Sequence, residues 1–431
     1  MDVGYSSAAD ENVPTNNTIC EPTDGQWEDF QKVAWWVQGL VATILSSMGV
    51  MLNCAAGLIF TFTKPNDSNT AAFNRQLTCL SLFDNLYLLI GISEAIRNHF
   101  TKHTYYYDYA FTAWLYPLRS ISMFCSMYTT LILSKVRYNS IKNPLAHLVQ
   151  ARLEASVTCC KDVKYICFVI MAAFLFYLPK FFEFEITYNE NLCTDANITD
   201  IVANCTTFEY RIDDKYIRRN KDYVLWYMNI SNIIVTIIIP FALLLYLNSE
   251  IHKEMKHFRK RQAMFHARRT TIPLPKNHVS RCHQQNNNEQ TIIIFSLVAM
   301  FFCGHIFRAI LNVQELIYFD WTTKELAKGC LGVKFWAMIL VPISEVMLLA
   351  NSSANFFIYY LFHNDFRNVV KYQYDKIKCS IVSKLESSEQ IVIAGKNEVQ
   401  PPFIAASTID ITIAQTGKEN IEMNEIQSTF V

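Results

Sequence analysis

The chain has 431 residues with 38 basic and 38 acidic side chains, so its formal net charge is zero. Only 18% of residues are charged, against about 25% in an average soluble protein, while 51% are hydrophobic and glycines number just eleven. That balance argues against soluble sheet enzymes and phosphate-loop proteins, which need many glycine turns, and neutrality leaves no footprint for binding nucleic acid.

The apolar residues are concentrated in runs. Val33–Thr63, Tyr223–Ser249, Gln290–Phe307 and Val346–Asn364 contain no Asp, Glu, Lys or Arg. A helix needs ~20 mainly apolar residues to cross ~30 Å of hydrocarbon. Three weaker segments join them: Ala72–Ile96 carries Asp84 and Glu94, Ala110–Ser134 carries Arg119, and Lys164–Phe182 is clean from Tyr165 to Pro179. The runs predict an all-α membrane protein, a seven-transmembrane helix bundle over 33–363. A polar N-terminus, 1–32, precedes it, without the basic start and short apolar stretch of a cleavable signal peptide.

Positive charge orients the bundle. Glu250–Glu289, between spans five and six, holds nine Lys or Arg and three acids, whereas Met1–Lys32 holds seven acids and one Lys. The N-terminus is therefore expected outside the plasma membrane and the C-terminus inside. The sequons at Asn16, Asn197 and Asn204 all fall on the outer side, as glycosylation requires. So do four of thirteen cysteines, Cys20, Cys193, Cys205 and Cys330. They allow three disulfide pairings; Cys193–Cys205 within one loop, with Cys20–Cys330, is the preferred one. No cysteine or histidine spacing suggests a structural metal.

Ionisable groups in hydrocarbon usually face the bundle interior, where they pair or serve function. They form two layers here. A deeper one comprises Asn53, Asp84, Ser126, Asn351 and Asn355; an outer one comprises Glu94, Arg119, Arg308 and Glu345, with His305 below.

These residues and their flanks resemble the rhodopsin-like G-protein-coupled receptors, and within them the invertebrate FMRFamide-type neuropeptide receptors. Asn53 in GVMLN, Asp84 in LSLFD, Arg137 and Tyr138 in KVRYNSIKNPL, and Pro240 in IIPFALLLYLN match that family's helix signatures. NSSANFFIYYLFHNDFR resembles its seventh-span motif, with Phe356 in place of proline and Tyr359 at the tyrosine. LPKFFEFE, LNSEI and Asn312-x-x-Glu315 carry the narrower likeness. Four positions depart: Val136 stands before Arg137 instead of an acid, and Cys303-Gly304-His305-Ile306 replaces Cys-Trp-x-Pro. Thr112 occupies the third-span cysteine position, and Asn248 that of a fifth-span tyrosine.

The resemblance implies roles. Asp84, Ser126, Asn351 and Asn355 fall on an allosteric sodium pocket, with no other cofactor. Glu94, Arg119, Arg308, Asn312 and Glu345 line a ligand cavity, aided by the aromatic Tyr87, Trp114 and Phe307. Arg119 where amine receptors carry an aspartate argues against small amines, and Glu94 or Glu345 suits the guanidinium of an amidated Arg-Phe peptide; the alternative is internal pairing of Arg119 with Glu345. Arg137, Tyr138 and Tyr359 would face a heterotrimeric G protein, with Glu289 as resting partner of Arg137. The basic run Lys253–Arg269 suits the G protein or anionic membrane lipid.

An amphipathic eighth helix is expected over 364–379, with Cys379 for palmitoylation, then a disordered tail, 380–431, for kinases and arrestin. The final Thr429-Phe430-Val431 suits a PDZ domain. Rival readings are a seven-helix ligand-gated channel or transporter, and a receptor-like protein with altered signalling. A retinal protein is excluded because Leu349 occupies the Schiff-base lysine position. No enzyme chemistry is implied.

Overall fold

A computed structural model describes residues 23–63, 68–101, 104–142, 155–188, 210–268, 278–326, 328, 330, 332–364 and 366–375. The bundle lies in the unit Met1–Tyr372; of the unit Gln373–Val431 only 373–375 are described.

Seven long helices form the bundle. α1 runs through Asp24–Ala34, a widened π stretch Trp35–Val41, and Ala42–Phe62. α2 is Ser68–His99. α3 comprises Tyr105–Ala110, a π stretch Phe111–Leu115 and Tyr116–Lys142. α4 is Ala155–Tyr177, tightened into a 3-10 turn at Leu178–Phe182. α5 spans Tyr223–Ser231, Ile234–Ile238 and Ile239–Arg268. α6 is His278–Ile317, and α7 is Phe335–Ser353 continued by Asn355–Phe362. Residues 366–372 are again helical.

Among the described residues, six of these helices are long and apolar enough to cross a membrane. The exception is α3, and its position explains why. It packs against α2, α4, α5 and α6, and buries Ser122, Thr129, Thr130 and Ser134. A helix surrounded by protein carries small polar residues that let backbones approach and bond across the interface. Apolar side chains on the outer helices point the other way: Phe62, Leu82, Phe168 and Leu245 are exposed, as lipid contact requires. The shared core, including Leu77, Leu80, Met127, Leu131, Leu244 and Leu297, lies where α2, α3, α5 and α6 meet.

Charge limits a hydropathy window without ending a helix, so several helices outrun their apolar cores. α1 starts at Asp24, not near residue 33, because Thr23 caps it; the Thr23 backbone N–H donates to Gln26 Oε1 at 3.0 Å. The basic run after Ser249, expected as loop, is a continuation of α5 to Arg268; Lys, Arg, Glu and Met are good helix formers in water. Between α4 and α5 the chain folds back as an antiparallel hairpin, β1 (Phe184–Tyr188) on β2 (Tyr210–Asp214), with Phe184 opposite Asp214 and Tyr188 opposite Tyr210.

Candidate ligand cavity and coupling face

At the hairpin end, four helices meet through one polar network. Arg119 of α3 donates to the Glu94 carboxylate of α2. Its Nη1 lies 3.7 Å from Glu345 Oε1 of α7, and its guanidinium sits 5.4 Å from the Tyr87 ring centre. Gln38, in the π stretch of α1, donates its Nε2 to Glu345 Oε2 at 2.6 Å. Arg119 and Glu345 are each 16% exposed. Two carboxylates meet one guanidinium here, and the second is also held by a neutral amide.

Arg308 and Asn312 sit one turn apart on α6, outside this network. Arg308 makes no ion pair among the described residues, and the buried Asn312 leaves its Nδ2 without an acceptor there. Trp114 does not line the cavity: it is 63% exposed, edge-on to Phe181 at 6.1 Å, on the outer side of α3.

Sequence reasoning missed a second hub. Glu183, after the 3-10 turn, is 0% exposed. Its Oε2 accepts from the Tyr116 hydroxyl of α3 at 3.1 Å and from Arg218 Nη1 at 3.3 Å, while Oε1 accepts from the Tyr223 hydroxyl of α5 at 2.9 Å. Lys215 N–H adds a bond to the Glu183 carbonyl at 2.9 Å. One buried carboxylate thus ties the base of the hairpin to two helices. A second buried pair, Arg97–Asp108 at 3.2 Å, joins the ends of α2 and α3, with Arg97 4.2 Å above Phe111.

In mid-bundle, Ser126 donates to Asp84 Oδ1 at 2.7 Å and Asn355 to Oδ2 at 2.6 Å. Asn53 donates to the Ser352 carbonyl at 2.8 Å, tying α1 to α7. Beside them lies a cavity of about 30 Å³ lined by Ser126, Asn351, Ser352, Asn355 and His305 among others, room for roughly two water-sized particles. Hydroxyl and amide oxygens line it, and the Asp84 carboxylate is bonded to two of the lining residues, a set that suits a hard monovalent cation. Asp84, Ser126, Asn351 and Asn355 would hold sodium here. No cluster of three His, Cys, Asp or Glu is found among the described residues.

At the opposite end, Arg137 is buried, and its Nε and Nη2 donate to Thr291 Oγ1 of α6 at 3.3 Å. Glu289, expected near Arg137, turns instead to the chain after α7: it accepts from the Asn364 backbone N–H at 3.2 Å and from the Asn364 side chain. The Tyr138 hydroxyl accepts from Lys142 Nζ at 2.9 Å. Tyr359 is fully buried, its ring 5.1 Å from Phe60 and 5.9 Å from Phe366.

Residues 27–374 match the family described as serpentine type 7TM GPCR chemoreceptor Srw. The chain belongs to that family of G-protein-coupled receptors. An FMRFamide receptor of Drosophila melanogaster is 24% identical over 369 residues, which cover 83% of this chain and 57% of that receptor. The chain thus spans little more than half the length of that curated relative.

Within this receptor, Gly304, Phe356, Thr112 and Asn248 each have a local structural setting. A Cβ added to Gly304 would stand 2.9 Å from Asn351 Cβ and 3.3 Å from the Met347 carbonyl, so α6 approaches α7 where a large ring cannot fit. α7 breaks at Ala354 without the proline replaced by Phe356. Thr112 turns its hydroxyl to the Asp108 carbonyl at 2.8 Å, and Asn248 bonds back to Leu244 at 2.7 Å, both within their own helices. Cys330 is disulfide-bonded. Asn16, Asn197, Asn204, Cys20, Cys193, Cys205, Cys379 and the C-terminal tail lie outside the described residues.

Proposed function

We propose that this receptor responds to an extracellular amidated peptide of the FMRFamide type and activates a heterotrimeric G protein, with its N-terminus outside the plasma membrane. The observation that carries the reading is the two-to-one ratio of carboxylate to guanidinium in the Glu94–Arg119–Glu345 network. Glu94 is the closer partner of Arg119, while Glu345 lies farther away and is steadied by Gln38. Glu345 is therefore the acid that takes the arginine of the peptide, exchanging a neutral partner for a charged one. The name of the fly relative supports the same ligand class.

Binding couples to the far end through the shared core. A peptide that pulls on Glu345 of α7 favours whichever arrangement of α6 and α7 it binds more tightly, and the shift equals that differential affinity. Opening α6 would release Arg137 from Thr291 and expose a crevice for the G protein. Sodium beside Asp84 would oppose this by linking α2, α3 and α7, and the tail would serve arrestin.

A panel of amidated peptides with calcium and cyclic-AMP readouts tests the reading. Phe-Met-Arg-Phe-amide should activate the receptor, and Glu345→Gln should cost roughly 10- to 100-fold in potency, the worth of a charge-assisted bond. Undiminished potency in Glu345→Gln overturns the assignment of that acid.

A further inference from the structure

The cavity beside Asp84 is walled by four helices, and α6 closes it with Leu297, Phe301 and His305. Of these three, His305 alone carries a polar side chain. It is 4% exposed, yet neither imidazole nitrogen has a hydrogen-bond partner among the described residues. Its ring rests on that of Phe301, one turn below, with centres 4.2 Å apart and planes inclined by 38°. Asn351, on the α7 wall of the same cavity, likewise has no partner for its amide there. The two helices press together at this level: a Cβ on Gly304, next to His305, would stand 3.3 Å from Asn351 Cγ. Buried polar atoms are almost always bonded, to water or an ion where protein supplies nothing. At about 30 Å³ the cavity has room for an ion and one water.

We infer that His305 is the α6 partner of this cavity: its acceptor nitrogen takes a hydrogen bond from a water on the sodium ion that Asp84, Ser126, Asn351 and Asn355 would hold, so that the ion restrains α6 as well as α2, α3 and α7. A neutral imidazole presents one donor and one acceptor nitrogen. A hard cation prefers oxygen, and a water bound to it points its hydrogens outward, so a nitrogen acceptor one water away satisfies both. His305 is thus a positioning residue that acts through that water, as groups behind the direct ligands of an ion commonly do. The inference rests on the sodium reading above and extends it to the helix whose movement opens the coupling face. Separating α6 from α7 removes the acceptor, so the ion is held more weakly in the open arrangement.

The test follows sodium binding and agonist binding separately in the full-length receptor. In the purified protein, sodium in place of a large organic cation at constant ionic strength should raise the melting temperature. The sodium concentration for half of that rise should be roughly 5- to 10-fold higher in His305→Leu, which removes the acceptor at similar volume. His305→Gln, which restores an acceptor, should stay within about twofold of wild type. In membranes, sodium should weaken binding of labelled Phe-Met-Arg-Phe-amide by about tenfold in wild type and about twofold in His305→Leu. His305→Leu should add nothing in an Asp84→Asn background. Should His305→Leu not reach the surface, the wild type gives the readout: one imidazole nitrogen resonance, missing from His305→Gln, should move when sodium replaces the organic cation. A sodium response that Asp84→Asn abolishes and His305→Leu leaves intact overturns the role of His305 alone, as does His305→Gln behaving like His305→Leu, or a resonance that stays in place. A wild type indifferent to sodium, or a response retained in Asp84→Asn, overturns the sodium reading and this inference with it.

Discussion

Arg137 of α3 is tied to a hydroxyl of α6: its Nε and Nη2 both reach Thr291 Oγ1 at 3.3 Å. Val136 offers no carboxylate beside it, and the bond to Thr291 ties the guanidinium across to α6. A hydrogen bond with one charged partner is worth about 1.5–3 kcal/mol, or roughly 10- to 100-fold in the ratio of two states. Thr291→Val should raise agonist-free G-protein dissociation by about that factor. Basal activity equal to wild type, at equal surface level, would remove Thr291 from the resting-state restraint.

Glu289 restrains the same face differently, by holding Asn364 where the chain leaves α7. Glu289→Ala should free this junction and raise basal signalling, and Asn364→Ala should do the same. The double variant should exceed neither single one, because both remove one contact. Additive effects would show that the two residues act separately.

Glu183 carries the hairpin attachment. Glu183→Gln leaves Arg218 and two hydroxyls around a neutral amide, and breaking a buried ion pair by removing one partner costs about 3 kcal/mol. The melting temperature of the purified receptor should fall markedly, whereas Tyr223→Phe should cost about 1 kcal/mol. A Glu183→Gln receptor as stable as wild type would show that the hairpin is held elsewhere.

Sodium should lower agonist affinity by about tenfold when it replaces a large organic cation at constant ionic strength, a typical coupling between sites. Asp84→Asn should abolish that difference while preserving the bonds to Ser126 and Asn355 in part. Sodium sensitivity retained in Asp84→Asn would exclude this carboxylate as the ligand.

Much of the bundle was legible because hydrocarbon admits few solutions: long apolar runs, seven of them, in matching order. α3 was the faintest, for the reason that makes it central, since its Ser and Thr side chains face protein and not lipid. Helix ends were misjudged wherever charged helix formers carried α5 and α6 beyond the apolar run. The inward groups Asp84, Arg119 and Glu345 could be read from their cost in oil, yet not their partners: Gln38 lies 307 residues from Glu345 and looks like any polar residue at a helix start. Glu183 was hidden for a similar reason. LPKFFEFE presents two acids at alternate positions, Glu183 buried and Glu185 exposed, and only the placement of Tyr116, Arg218 and Tyr223 tells them apart.

The two ion pairs between α2 and α3, Glu94 with Arg119 and Arg97 with Asp108, also bear on how the chain is made. A lone charge at the middle of a helix costs about 2.5–3.5 kcal/mol at the translocon. Paired across one short connection, these four charges need no partner from later in the chain. The second and third helices can therefore neutralise these four charges between themselves. Glu345 arrives last and joins a group already assembled around Arg119.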